Sequence, residues 1–203
     1  VLDPFYPILD SADWIERLLP QGIRLVQLRV KAVPDAVIHN EIARSKRLCE
    51  AAGAQLVVND HWRAAIAAGC DYVHLGQEDL DAADLAAIRA AGIKLGLSTH
   101  DPRELDRALA ARPDYVALGP IYFTRLKAMR FSPQGLEKLG IWKARLGSIP
   151  LVGIGGITLE RADGVFEAGA DIVAAVTDLT QAADPEARAR AWVSHTRCRA
   201  AQV

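Results

Sequence analysis

The chain has 203 residues, 51% hydrophobic and 24% charged, a composition that suits a folded globular protein long enough to bury a sizeable core. Lysine plus arginine number 24 against 25 aspartates and glutamates. That balance excludes a global attraction to nucleic acid or an anionic membrane, so any anion site must be local. No apolar run approaches the ~20 residues of a membrane span. The three cysteines, Cys49, Cys70 and Cys198, have neither metal spacing nor the even count of a disulfide framework, so a reducing, cytoplasmic setting is expected. The chain opens on Val1 without a basic-then-apolar leader and its one methionine is Met129, so the numbering is expected to omit the initiator.

In chain order, short apolar runs alternate with helical spacing. Strands are expected at 5–9, 25–29, 55–59, 72–75, 94–98, 115–118, 150–154 and 172–175. Helices are expected after each, at 12–19, 34–52, 62–68, 82–91, 102–111, 135–146, 158–168 and 185–194. Asp101-Pro102 and Asp184-Pro185 look like N-caps followed by a first-turn proline, and Gly53 and Gly92 stand where helices should end. Eight strand–helix units imply parallel pairing through right-handed crossovers. An open doubly wound sheet is the other arrangement. The count of units, with no large leftover segment, favours a compact (β/α)8 TIM barrel. No linker or charge block divides the chain, so 1–203 reads as one domain; the sequence is compatible with a homo-oligomer without fixing one. The stretches AAGCDYVHLG (67–76), AARPDYVALG (110–119) and EAGADIVAAV (167–176) repeat one module. The longest gap, 119–132, is expected to be a functional loop that closes over the site.

Barrel chemistry sits at the C-terminal ends of the strands, and three sub-sites are expected there. In VQLRVK, Gln27, Arg29 and Lys31 alternate with Val26, Leu28 and Val30. One strand face is thus apolar, to meet helices, and the other carries an amide and two cations into the mouth. Arg29 offers a fork while Lys31 and Lys127 offer point charges, a set suited to phosphate or diphosphate; local salt bridges are the other reading. Asp60 and Asp79 end adjacent strands and can both reach one Mg²⁺, although either could instead cap a helix, before Trp62 or Ala82. GIGGI at 153–157, with Thr177 after the last strand, fits a backbone phosphate cradle or a simple tight turn. His74 lies within a strand and is read as packing or hydrogen bonding, and His100 as a cap neighbour. No Ser-His-Asp or Cys-His grouping suggests a covalent nucleophile. These residues together predict binding of two phosphate-bearing groups, one as a Mg²⁺ diphosphate, and transfer with diphosphate loss.

In order and spacing, VQLRVK, VVND, DYVHLGQEDL, GLSTH, DYVALGPIYFTRLK, QGLEKL, PLVGIGGIT and GADIVAAVT resemble the thiamine-phosphate synthase family over about residues 5 to 180. HLGQED and GPI with a following T-x-x-K are the specific parts. The resemblance implies a cytoplasmic transferase of thiamine biosynthesis. It would move the hydroxymethylpyrimidine group from its diphosphate to thiazole phosphate by a dissociative, Mg²⁺-dependent route. It further implies that Gln27, Arg29, Lys31, Asn59, Ser98 and Lys127 hold the pyrimidine diphosphate, with Arg29, Lys31, Ser98 and Lys127 catalytic. Asp60 and Asp79 would hold Mg²⁺, and Thr124, Gly156 and Thr177 would line the thiazole-phosphate end. Three positions depart from the family pattern. Leu126 replaces a threonine, with Arg125 beside it to compensate; Ala32 replaces an acidic residue; Thr177 replaces a serine and keeps the hydroxyl. A thiazole tautomerase-like paralogue would carry a histidine where Pro120 stands. A non-catalytic sensor would not need the two aspartates, and a sugar-phosphate isomerase on the same scaffold would not need a paired Mg²⁺-diphosphate set.

Overall fold

The computed structural model describes residues 2–124 and 132–200. Eight parallel strands form a closed barrel in sequence order: β1 (Phe5–Leu9), β2 (Leu25–Leu28), β3 (Gln55–Asn59), β4 (Tyr72–Leu75), β5 (Lys94–Thr99), β6 (Tyr115–Leu118), β7 (Leu151–Ile154) and β8 (Ile172–Ala175), with β8 pairing back to β1. The described helices are α1 (Ala12–Leu18), α2 (Asp35–Ala52), α3 (Trp62–Ala67), α4 (Gln77–Ala82), α5 (Leu85–Ala90), α6 (Pro102–Ala110), α7 (Glu137–Leu146), α8 (Ala162–Glu167), α9 (Thr177–Thr180) and α10 (Pro185–Ala200). The expected barrel is therefore the observed fold.

The strands are buried on both faces, as a parallel sheet wrapped by helices requires. Val26, Leu28 and Val30 belong to the outer core beneath the helices, whereas Tyr6, Leu25, Val57, Tyr72 and Tyr115 belong to the barrel interior. Alternation then carries Gln27, Asn59, His74 and Ser98 inward, one layer nearer the C-terminal mouth. The registers agree: Gln27 pairs with Val57, Asn59 with His74, His74 with Gly96, and Ser98 with Ala117.

Most differences from the expected elements have a local cause. The helix expected at 82–91 is two helices, because Asp84 caps a fresh start by accepting from Ala87 N–H at 2.9 Å, and α4 begins directly after Gly76. The first turn of the helix expected at 158–168 is a 3-10 turn, Leu159–Arg161. β2 ends at Leu28, yet Arg29 N–H still donates to Leu9 O at 2.7 Å, so the ladder holds Arg29 in strand register. α10 runs on to Ala200 and closes the seam between the first and last strands. Its Trp192 stacks on Phe5 of β1, with centroids 4.8 Å apart, and donates to Asp178 after β8 at 2.7 Å.

One glycine is dictated by packing inside the barrel. A Cβ on Gly96 would lie 2.0 Å from Cζ of Tyr115, which is its register partner across β5 and β6. Only a residue without a side chain lets this phenol cross the interior. Gly96→Ala should therefore cost at least about 2 kcal/mol through overpacking, read as a fall in the urea midpoint at unchanged m-value.

Candidate active site

The mouth of the barrel is built from the ends of β2 to β5. Gln27 is buried, and its Nε2 donates to Tyr6 Oη at 2.8 Å. Arg29 is partly exposed, and its guanidinium has no carboxylate partner among the described residues. The salt-bridge reading of Arg29 therefore does not hold among those residues. Lys31 does have such a partner, its Nζ lying 3.0 Å from Asp60 Oδ2.

Asp60 does not cap α3. His61 occupies the N-cap position, and Asp60 instead takes a left-handed backbone at φ 62°. A non-glycine residue held there is a strain that only surrounding structure maintains. The turn sets its carboxyl near enough to Asp79 for the two to influence each other. Asp79 lies within the first turn of α4, and the helix that follows is capped by Asp84, so the reading of Asp79 as a cap before Ala82 does not hold. Burial first, then the charge and hydrogen bond of Asp60, raise the Asp79 carboxyl; Lys31 and the Gly76 N–H act in the opposite direction. Two carboxyls placed in this way could hold a cation between them. Among the described residues no third His, Cys, Asp or Glu joins them. That donor set suits Mg²⁺, which takes one or two carboxylates and draws its remaining oxygens from water and phosphate.

Asn59 is buried next in sequence to Asp60, and neither its Nδ2 nor Gln77 Oε1 has a hydrogen-bond partner among the described residues. Buried polar atoms left in this state await a ligand or water. Gln77 Nε2 donates to Ser98 O at 2.7 Å, which ties α4 to the end of β5. Ser98 Oγ lies 2.8 Å from Nε2 of the buried His74, whose Nδ1 lies 2.8 Å from Tyr115 Oη. His74 thus hydrogen-bonds, as its place in a strand suggested.

The opposite side of the mouth is the loop after β7. Gly155 and Gly156 have φ 100° and 64°, and Cβ atoms there would meet Pro120 Cα at 2.6 Å and Phe123 O at 2.4 Å. Close approach of the loops after β6 and β7 therefore demands these glycines, and Tyr122 N–H donates to Gly155 O at 2.9 Å. The tight-turn reading is satisfied, and the Gly156 N–H still has no protein acceptor among the described residues. Arg161 braces the two loops: it donates to Gly156 O at 2.7 Å and lies over the Tyr122 ring. Thr177 opens α9 across from it, and Thr124 is half-buried on the loop after β6. Lys127, with Arg125 and Leu126, lies outside the described residues. His100 stays local, its Nδ1 2.7 Å from Glu104 Oε2.

Sequence reasoning missed Tyr6, Tyr115, Gln77 and Arg161. In and out alternation along β1 and β6 carried the signal for the two tyrosines. Gln77 and Arg161 act through loop geometry that no periodicity encodes.

A closed barrel with cations, a carboxyl pair and a glycine loop at its C-terminal mouth is a phosphate-handling enzyme by architecture. The chain matches the family described as thiamine monophosphate synthase over residues 5–179. It is 63% identical to the thiamine-phosphate synthase of Rhizobium etli over 195 residues, covering 96% of each chain. It is 50% identical to that of Neisseria meningitidis over 188 residues, covering 93% of this chain and 92% of the other. Its fold matches the thiamine phosphate pyrophosphorylase of Pyrococcus furiosus at a TM-score of 0.84 and 24% identity over 95% of each chain. The chain belongs to the thiamine monophosphate synthase family, and is an enzyme of the transferase class. Among the described residues no helix is long and apolar enough to cross a membrane.

Burial lowers His74 to about 4 from the ordinary imidazole value of 6.5. Between those values the unfolded chain binds the extra proton. The stability that rests on neutral His74 is therefore complete above pH ~6.5 and is lost as the pH falls toward 4. Acidification from about pH 7 to about pH 4.5 should cost the wild-type chain up to about 3 kcal/mol more than a His74→Gln variant, measured by urea titration at each pH.

Proposed function

We propose that the barrel mouth makes thiamine phosphate from 4-amino-2-methyl-5-hydroxymethylpyrimidine diphosphate and 4-methyl-5-(2-hydroxyethyl)thiazole phosphate. The observation that carries this reading is the polar run of Gln27 on β2 with Arg29 and Lys31 just beyond it, where Lys31 pairs with Asp60 and Asp60 acts on Asp79. Arg29, without a carboxylate among the described residues, offers its fork to phosphate oxygens. Lys31, Ser98 and Lys127 complete the catalytic set, and Gln27 and Asn59 hold the pyrimidine end. Asn59 Nδ2 is a buried donor without a partner among the described residues. Thr124, Thr177 and the Gly156 N–H bind the thiazole phosphate, the last as a backbone donor with no acceptor among the described residues.

Asp60 and Asp79 hold Mg²⁺, which when bound supplies neutralising charge to the diphosphate and makes it a better leaving group. The bond from the pyrimidine methylene carbon to the diphosphate oxygen breaks with its electron pair on oxygen. The lone pair of the thiazole nitrogen then forms the new carbon–nitrogen bond to the cationic methylene. No proton need be gained or lost by either substrate. The transfer takes place in the cytoplasm, on one barrel domain spanning 1–203.

The two substrates with Mg²⁺ should yield thiamine phosphate and diphosphate in equimolar amounts, and a chelator should stop the reaction. No product, with both substrates shown to bind, would overturn the reading. Arg29→Ala should cost at least ~2 kcal/mol of transition-state stabilisation, since it removes a charged contact to the leaving group. Steady-state kcat/KM for the diphosphate substrate measures that loss, and a near-normal value would make Arg29 structural.

A further inference from the structure

Five residues on five strands form a continuous line of hydrogen bonds across the barrel interior. Gln27 Nε2 donates to Tyr6 Oη at 2.8 Å, and Tyr6 Oη lies 2.9 Å from Tyr115 Oη. Tyr115 Oη lies 2.8 Å from His74 Nδ1, and His74 Nε2 lies 2.8 Å from Ser98 Oγ. The line runs from one edge of the mouth, under its floor, to the other.

Each link decides the next. An amide nitrogen can only donate, so Tyr6 Oη accepts from Gln27 and its single hydrogen goes to Tyr115. Tyr115 Oη accepts there and gives its own hydrogen to His74 Nδ1. That nitrogen must present a lone pair, so the ring proton of neutral imidazole stands on Nε2 and is donated to Ser98 Oγ. Ser98 keeps its own hydroxyl hydrogen for whatever lies in the mouth. In the opposite sense Ser98 would aim a lone pair at an anion, and Tyr6 Oη would accept from both Gln27 and Tyr115, leaving its own buried hydrogen without an acceptor in the line, an uncompensated desolvation cost. The rings are fixed in place: Tyr115 stacks on His74 at 17° and meets Tyr6 edge-on at 90°, in space that Gly96 leaves open.

We infer that Tyr6, Tyr115 and His74 are positioning residues whose one-way relay makes Ser98 a donor toward a substrate oxygen, that of the departing diphosphate under the reading above, on which this inference rests. No bond is made or broken in the relay itself.

The test begins on the full chain without substrates, labelled with ¹⁵N-histidine. The His74 signals are assigned by their loss in His74→Gln. The relay requires a pyridine-type Nδ1 and a pyrrole-type Nε2, and the reverse tautomer would overturn it. Tyr115→Phe deletes one oxygen. It should shift the ring proton toward Nδ1 and lower kcat about ten-fold, the low end of what a misdirected proton donor costs, with KM for both substrates changed less than about two-fold. Because the effect passes through one hydroxyl, Tyr115→Phe should cost nothing further in a Ser98→Ala background. A purely structural Tyr115 would lower the urea midpoint and leave kcat unchanged, and that result, or losses that multiply, would overturn the inference. If Tyr115→Phe fails to fold, Tyr6→Phe breaks the line one link earlier and carries the same kinetic comparison. The tautomer is read without turnover, so a wild-type chain that makes no product would sink the functional reading and leave the sense of the relay standing.

Discussion

A phenol at the centre of a closed barrel must find hydrogen-bond partners without help from water, and an unsatisfied one would cost about 1–3 kcal/mol. Tyr115 meets that demand with Tyr6 on one side and His74 on the other. The rest of the interior is arranged around this requirement. Position 96 has no side chain because the ring passes there. His74 stays neutral because burial disfavours its charged form by more than the nearby Asp60 favours it, with Arg29 adding to the effect of burial. Tyr6 and Tyr115 are pushed far above the ordinary phenol range by burial, so they serve as hydrogen-bonding groups and not as acids. The floor of the mouth is thereby electrically quiet, polar and rigid.

Above that floor the charges are arranged in the opposite spirit. Asp60 sits at a strained φ of 62°, pairs with Lys31 and acts on Asp79. Without a ligand the arrangement is frustrated: one carboxyl is raised by its neighbour while a partly exposed guanidinium, Arg29, stands nearby without a carboxylate among the described residues. A divalent cation would relieve the carboxyls, and the phosphate groups it brings would relieve the cations. The strained φ at Asp60 is thus found at the point where these charges meet.

How much of this was legible in the chain depends on period. Alternation in VQLRVK placed Gln27 and Arg29 inward and Val26, Leu28 and Val30 under the helices, as the barrel has them. Closure of eight strands followed from counting modules. Periodicity could not reveal that Asp60 would leave the regular backbone, since a left-handed residue is set by its neighbours and not by its own preference. It also concealed α4, a short helix whose Gly76 start and Asp79 first turn resemble loop chemistry. His74 showed the limit most clearly. A histidine inside a strand reads as a packing residue until the partner strands are known, and its two ring contacts come from 41 and 24 residues away.

The barrel also separates carboxylates that hold the fold from those left for chemistry. Asp178 follows β8 at the same end of the barrel as Asp60 and Asp79, and by position alone it could join them. Arg188 takes it in a two-pronged grip at 2.8 and 2.9 Å, and Trp192 donates to it at 2.7 Å. Asp178 is thus fully engaged with α10, whose Trp192 also stacks on Phe5. A bidentate guanidinium and an indole N–H satisfy the lone pairs of one carboxylate while locking the seam between β8 and β1. Among the described residues Asp60 and Asp79 have no such arginine; Asp60 pairs instead with Lys31, a flexible point charge. The choice of arginine behind the seam and lysine at the mouth is what makes one acidic group a fastening and leaves the other two available.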